Sequence, residues 1–169
     1  MKIAAILTLS FIALSACQSS APPGPARPSA AATSDDPQPF DETRNATADV
    51  DSALVAARDR GTRVLLVLGA NWCHDSRGLA AKFEKPNLAA LIAKRYELVY
   101  VDVGHRDRNL DVAARFGVHE LIGTPTVLIL SPGGALLNGD SVNDWRDAAS
   151  RTPGEVLAYF RKWSEATGE

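Results

Sequence analysis

The chain has 169 residues with 18 basic and 20 acidic side chains, so its formal net charge at pH 7 is only −2. A balance this close to neutral provides no basic field for nucleic acid, which excludes DNA or RNA binding as a function. The length suits one globular domain with a proper hydrophobic core.

The first sixteen residues have the pattern of a signal peptide. Lys2 precedes a mostly apolar stretch over 3–14, which is too short to span a bilayer. This stretch runs into the tetrapeptide LSAC, which ends at Cys17 and resembles the lipobox of bacterial lipoproteins. The resemblance implies cleavage before Cys17 and a lipid on its sulfur, and Gln18 in the next position favours the outer over the inner membrane. We therefore expect a lipid-anchored protein on the periplasmic face of a bacterial cell envelope; the alternative is an ordinary signal peptide with an incidental cysteine.

Residues 17–40 are predicted to form a tether. They are rich in Ala, Pro and Ser and contain few large apolar side chains, so they cannot bury enough surface to offset the entropy of ordering. The predicted domain follows over 41–169. With lipid on Cys17, Cys73 is the one free thiol of the mature chain, and no disulfide can form within it.

Helical and strand periodicities alternate within this domain. Apolar residues at helical spacing predict the helices, and short uninterrupted apolar runs predict buried strands. In chain order the predicted elements are a helix over 47–60, a strand over 64–68, a helix ending near 83, a helix from 87, a strand over 96–103, a helix over 109–116, strands over 126–130 and 135–137, and a helix from 153. This order predicts an α/β fold of three layers, with helices on both faces of a mixed central sheet of about four strands.

Two loop motifs adjoin these strands. The first is Trp72-Cys73-His74-Asp75-Ser76, which follows the first strand and opens a helix; the second is Gly123-Thr124-Pro125, directly before the third strand. Together with the capped final helix they resemble the thioredoxin superfamily, whose WCxxC segment and cis-proline loop they match except that Ser76 replaces the second cysteine. The resemblance covers about 47–163. It implies a thioredoxin-like fold in which a cis Thr124-Pro125 bond faces the Cys73 sulfur.

Cys73 is the predicted nucleophile. Its place at a helix start brings the sulfur near unpaired backbone N–H groups and the helix dipole, which favour a thiolate. His74 and Ser76 are expected to modulate the sulfur, His74 by its charge when protonated and Ser76 by donating a hydrogen bond. The resemblance implies that Trp72 offers an apolar contact to a substrate and that Thr124-Pro125 forms a platform for an extended substrate segment.

A single thiol restricts the chemistry. Ser76 cannot resolve a mixed disulfide, because its hydroxyl stays protonated and lacks sulfur's reactivity toward disulfides. The buried acid that relatives carry six residues before the nucleophile is here Val67, and Glu120 and Leu121 look inserted ahead of the proline loop. We therefore expect isomerase-like or deglutathionylating exchange rather than net oxidation, with protein or glutathione thiols and disulfides as partners and with no cofactor.

Other functions are compatible with the same residues. The leading alternative is a non-catalytic module that binds extended polypeptides or a partner protein; a thiol sensor or holdase, or an inert buried cysteine, are others. His105 follows the second strand and His119 precedes the proline loop, so a copper or zinc carrier using them with Cys73 is a less favoured alternative. No metal site is predicted.

Overall fold

The central sheet contains three strands. The computed structural model describes residues 37–165. Its strands are β1 (Arg63–Gly69), β2 (Tyr96–Asp102) and β3 (Thr126–Leu130). The order is β2-β1-β3; Leu66 of β1 lies opposite Val99 in the parallel pair with β2 and opposite Leu128 in the antiparallel pair with β3. The predicted mixed sheet is confirmed.

Five α-helices are found within residues 37–165. They are α1 (Ala46–Arg60), α2 (His74–Phe83), α3 (Pro86–Arg95), α4 (Leu110–Ala114) and α5 (Pro153–Glu165). Asn45 caps α1 by accepting from the Ala48 N–H at 3.1 Å, and Gly61 ends it with a φ of 63°. The final helix is capped, as predicted: Thr152 and Glu155 form a capping box, in which the Thr152 N–H donates to the Glu155 carboxylate at 2.8 Å. None of the described helices has the length and hydrophobicity needed to cross a membrane.

Two apolar cores lie on opposite faces of the sheet. On one face α1 covers Val64, Leu66 and Leu68 of β1. On the other, α2, α3 and α5 cover Leu65 and Val67. Successive strand side chains point to opposite faces, so the uninterrupted apolar run of β1 contributes to both cores. The predicted three-layer arrangement is therefore present.

The predicted fourth strand over 135–137 is wrong. Only one bridge forms there, between Leu130 and Leu136. Beyond it the side chain of Asn138 takes the place of a strand: its Oδ1 accepts from the Ile129 N–H at 2.7 Å, and its Nδ2 donates to the Val127 carbonyl at 2.9 Å. The next backbone hydrogen bond at this edge comes from outside the segment, where the Val127 N–H donates to the Val142 carbonyl at 2.9 Å. Because the Asn138 amide interrupts the backbone pairing, no regular fourth strand forms, and the sheet has three strands instead of about four.

Trp145 belongs to the second core. Its sequence neighbours are polar, which suggests surface packing, yet the side chain is fully buried. The indole packs edge-to-face on Tyr159 at 4.7 Å and stacks on Phe160 at 5.2 Å, while the guanidinium of Arg151 lies 4.8 Å from its ring centre. The segment before α5 is thus held to the core by one aromatic side chain.

Several sequence predictions lie outside the described residues. They are the signal peptide over 1–16, the lipidation of Cys17 and most of the tether over 17–40. Phe40, placed by the sequence interpretation at the end of the tether, is buried against Tyr100, with ring centres 5.3 Å apart. Its N–H donates to Asn71 Oδ1 at 3.1 Å, and Asn71 Nδ2 donates to its carbonyl at 2.8 Å. Packed structure therefore begins before Asp41.

Candidate active site

Cys73 lies at the junction of β1 and α2. It is the N-cap residue of α2, with an extended backbone at φ −82° and ψ 119°. Its N–H donates to the Ala70 carbonyl at 3.1 Å, and its carbonyl accepts from the Arg77 N–H at 3.1 Å. Its side chain makes no capping hydrogen bond, so the first N–H groups of the helix are left near the sulfur. The residue is 8% exposed, which leaves a narrow approach to the thiol.

The Cys73 thiol faces the proline loop. Its Sγ donates a hydrogen bond of 3.3 Å to the carbonyl of Thr124, which is 51 residues away in the sequence. The Thr124-Pro125 bond is cis, as predicted. The Thr124 N–H has no partner among the described residues. An unpaired N–H beside the sulfur is a position where an extended polypeptide can add by backbone pairing.

Trp72 stands exposed next to the sulfur-bearing residue. Its exposed fraction is 55%, although its Nε1 donates to the Gly104 carbonyl at 3.0 Å and its ring stacks on His105 at 4.9 Å. The two contacts fix the orientation of the indole and leave a broad apolar face open to solvent. This geometry is compatible with the predicted contact to a substrate.

His74 and Asp75 have different environments. His74 is exposed at the first position of α2, and its imidazole makes no hydrogen bond or ion pair within residues 37–165. The carboxylate of Asp75 accepts from the Ala149 N–H at 2.9 Å, which ties α2 to the segment ahead of α5. His74 is next to Cys73 in the sequence, but the structure shows no hydrogen bond between its imidazole and the sulfur. Its predicted effect on the thiol stays a prediction.

Ser76 is fully buried behind Cys73. Its Oγ has no hydrogen-bond partner in the described part of the chain. A Cβ atom at Gly69 would lie 2.6 Å from this oxygen and 2.7 Å from the Phe40 ring, so the hydroxyl is packed between the end of β1 and that ring. The hydrogen bond from Ser76 to the sulfur is not formed while the thiol donates to Thr124. Its role toward a thiolate stays a prediction.

The loop after β2 was not recognised from the sequence as part of the site. Gly104, Arg106 and Asn109 all have left-handed backbones, with φ of 56°, 69° and 53°. The Asp102 carboxylate accepts from the Gly104 N–H at 2.9 Å, and Asn109 Nδ2 donates to the Asp102 carbonyl at 2.7 Å. This conformation presents His105 to the Trp72 ring. Gly104 and Asn109 carry a sequence signal for positive φ, whereas Arg106 carries none.

The two loop histidines border one groove. His105 and His119 line it together with Arg106, Leu110, Glu120 and Leu121. Across the described ranges, no group of three or more His, Cys, Asp or Glu side chains is arranged to hold a metal ion.

A second groove, of about 630 Å³, is lined by Trp72, His105 and Arg108. Arg108 donates to the Glu42 carboxylate at 2.8 Å and lies 3.5 Å from that of Asp102. The hydrogen bond to Glu42 raises the pKa of the Arg108 guanidinium above its usual value. Arg108 is therefore paired with carboxylates of residues that line the same groove.

The departures from the thioredoxin pattern have clear positions. Val67 is fully buried in the second core, so an apolar side chain stands where the resemblance would place an acid. Leu121, one of the two residues that look inserted in the sequence, is buried in the first core, whereas Ile122 beside it is 53% exposed. Leu121 therefore packs inward, and the exposed apolar side chain of this loop comes from Ile122, outside the two residues that look inserted.

Comparisons with known proteins agree with this geometry. A family described as thioredoxin-like matches residues 45–132. The crystal structure of a disulphide isomerase from Xylella fastidiosa Temecula1 is 32% identical, with a TM-score of 0.69, covering 76% of this chain and 98% of that one. The solution structure of a thioredoxin from Thermus thermophilus is 24% identical, with a TM-score of 0.49, covering 68% of this chain and 83% of that one. No curated protein matches the sequence. By its family match and its likeness to the isomerase, the chain belongs to the thioredoxin-like family.

Proposed function

We propose that the protein catalyses thiol–disulfide exchange through Cys73 as its single nucleophile. The Cys73 thiolate attacks a disulfide of a partner protein or of glutathione, forms a mixed disulfide and releases the other half as a thiolate. A second thiol, from the substrate or from glutathione, then displaces Cys73. The observation that carries this proposal is the position of the sulfur, at the start of α2 and 3.3 Å from the carbonyl of Thr124.

Isomerisation or deglutathionylation fits better than net oxidation. Cys17 and Cys73 are the two cysteines of the sequence, and the position three residues after Cys73 holds Ser76. A mixed disulfide on Cys73 therefore has no neighbouring thiol to resolve it, and release depends on a thiol from outside. The likeness to a disulphide isomerase supports this direction of the chemistry.

The test is exchange activity in matched variants. We expect the wild type to release glutathione from a glutathionylated peptide and to reshuffle a scrambled disulfide protein, and we expect Cys73→Ser to lose both activities. Ser76→Cys supplies an internal resolving thiol, so its mixed disulfides should be shorter-lived in mass spectra of the intact protein. A wild type no faster than Cys73→Ser would overturn the proposal.

We also propose a lipid-anchored location in the bacterial envelope. The support is the sequence before Cys17, which has a short apolar stretch and the LSAC tetrapeptide. Metabolic labelling with a fatty acid should label the wild type and leave Cys17→Ser unlabelled, and membrane fractionation should place the labelled protein in the outer membrane. Equal labelling of both forms would contradict lipidation at Cys17.

A second candidate function is a non-catalytic polypeptide-binding module. The exposed apolar faces of Trp72 and Ile122 beside the unpaired Thr124 N–H favour it. If this is the function, Cys73→Ser retains full peptide binding and the wild-type thiol reacts with disulfides no faster than free cysteine does.

A further inference from the structure

Two arginines bracket the loop that precedes Pro125. On one side Arg106 donates from Nη1 to the carbonyls of Leu121 and Ile122 at 3.4 and 3.3 Å. On the other side the stem of Arg146 covers Gly123, where a Cβ atom would lie 2.5 Å from the arginine Cδ. The absence of a side chain at Gly123 is what permits this approach. The Arg106 guanidinium and the Arg146 side chain, with its Nε 3.9 Å from the same Cβ position, thereby lie against the segment that precedes Pro125.

Neither of these arginines forms a salt bridge within the described residues. Five other arginines do: Arg44, Arg60, Arg108, Arg115 and Arg151. Arg106 and Arg146 therefore retain donors for a carboxylate that this part of the chain does not supply.

The acidic groups near the loop leave these donors available. Asp147, which feels the charge of Arg146, is held by Arg151 at 2.7 Å. Glu120 and Asp144 are exposed neighbours, and neither comes within 4.0 Å of a guanidinium nitrogen of Arg106 or Arg146. These exposed carboxylates lower the local positive charge but leave N–H donors of both guanidinium groups without a carboxylate partner, available to an incoming anion.

Apolar surface around the same loop indicates a polypeptide ligand. Four large apolar side chains are exposed among the described residues, and two of them, Trp72 and Ile122, flank the contact between Cys73 and Thr124. A third, Leu110, lines the groove that contains Arg106. This exposed apolar surface extends beyond the Cys73 thiol, so it fits a polypeptide ligand that carries apolar side chains.

We propose that Arg106 and Arg146 are specificity determinants that select extended polypeptides with acidic residues on either side of their disulfide or thiol. The backbone of such a segment pairs with the Thr124 N–H, its apolar side chains contact Trp72 and Ile122, and its carboxylates bind the two guanidinium groups. This selection rests on the proposed exchange function, because it names the substrates of the same site.

The kinetic test uses two peptides that differ only in charge. Each contains one cysteine activated as a 2-pyridyl disulfide, flanked by Glu in one peptide and by Gln in the other. Attack by the Cys73 thiolate on the peptide sulfur forms the mixed disulfide and releases 2-thiopyridone, whose absorbance gives the rate. At low salt the wild type should react about two- to fivefold faster with the Glu peptide, the range expected for exposed ion pairs.

Matched variants separate local recognition from net charge. In Arg106→Gln/Arg146→Gln the two rates should become equal. The control, Arg58→Gln/Arg161→Gln, removes the same charge from two exposed residues, one in the last turn of α1 and one in α5. This control should still react faster with the Glu peptide than with the Gln peptide. Each peptide rate is divided by the rate of the same variant with an uncharged hydroxyethyl pyridyl disulfide, so that any change in the reactivity of Cys73 itself cancels.

The outcomes distinguish this proposal from the proposed function. Equal rates for the Glu and Gln peptides in the wild type overturn the selection and leave the exchange function standing. A wild type that reacts with no disulfide overturns the exchange function. In that case the selection for acidic peptides is tested by binding alone. Peptides with serine in place of cysteine are added to Cys73→Ser, and tryptophan fluorescence measures their affinity. Equal affinity for the two peptides overturns the selection, and tighter binding of the Glu peptide supports it.

Discussion

Gly78 on α2 lies so close to Ala149 that no side chain fits between them. A Cβ atom at Gly78 would be 2.8 Å from both the Cα and the Cβ of Ala149. On either side of this contact, Asp75 accepts from the Ala149 N–H and Lys82 donates to its carbonyl at 2.9 Å each. α2, with Cys73 at its start, is therefore held against the segment ahead of α5.

Gly78→Ala should destabilise the protein although alanine is the better helix former. Overpacking costs about 1–3 kcal/mol, and a contact with backbone belongs at the upper end because no rotamer change relieves it. The helix propensity of alanine offsets about 1 kcal/mol, so we expect a net loss of about 2 kcal/mol. Urea unfolding measures this loss. Gly154→Ala is the matched control, because its nearest neighbour would be Thr152 Oγ1 at 4.0 Å, and it should not lower stability. A Gly78→Ala protein as stable as wild type would contradict the close contact.

Asn138→Ala should be among the most destabilising polar substitutions. It removes both hydrogen bonds to the edge of β3 and the 3.0 Å bond to the Tyr159 hydroxyl, leaving buried groups unpaired. Unsatisfied buried groups cost about 1–3 kcal/mol each, so a loss of at least about 2 kcal/mol is expected. Tyr159→Phe, which removes one of these partners, should cost about 1 kcal/mol. Equal losses for the two variants would show that the amide does not replace a strand.

Ser76→Ala should not lower the free energy of unfolding. The Ser76 Oγ is buried without a partner in the described residues, so removing it relieves a desolvation cost. The same variant tests whether Ser76 modulates the sulfur: slower reaction of Cys73 with iodoacetamide, at unchanged stability, would show that the hydroxyl supports the thiolate. A clear loss of stability would mean that the hydroxyl has a partner in solution.

Stability should fall at alkaline pH through Tyr96, which is buried, and Tyr100, which is partly buried. Burial raises the pKa of the Tyr96 and Tyr100 phenols above the usual value of about 10. The folded state keeps these protons while the unfolded chain loses them, so their contribution is complete below pH of about 10 and declines as the pH rises above it. Denaturant unfolding across this pH range measures the decline.

The two tyrosines are distinguished by hydrogen bonding. Tyr96 donates to the Phe160 carbonyl at 2.6 Å, whereas the Tyr100 hydroxyl has no such bond within residues 37–165. Tyr100→Phe should therefore reduce the alkaline decline with little cost at pH 7. Tyr96→Phe should reduce it as well but cost about 1 kcal/mol at pH 7. If the loss of stability at alkaline pH is the same in both variants as in the wild type, other titrating groups cause it.

Regular periodicity made most of the fold predictable from the sequence. The apolar run of β1 predicts a strand that is buried on both faces, and the helical spacing in α1 predicts the face that packs on it. The approach of Cys73 to Thr124-Pro125 follows from the resemblance of two short motifs, which anticipates a contact across 51 residues.

Other features depend on contacts that leave no periodic signal. Asn138 replaces a strand through its side chain, and no pattern in the sequence distinguishes it from a turn residue. Trp145 is buried among polar neighbours because the aromatic rings that receive it come from α5. The positions of Arg106 and Arg146 depend on a left-handed loop and on a missing side chain at Gly123, which only the folded backbone shows.

The reciprocal hydrogen bonds between Phe40 and Asn71 join the start of the packed domain to the loop that carries Cys73. Asn71 stands two positions before Cys73, and the Phe40 ring also contacts Tyr100 of β2, so a displacement of Phe40 would move both the Cys73 loop and the edge of the sheet. Under the proposed attachment at Cys17, a pull on the protein would therefore be felt at the proposed nucleophile.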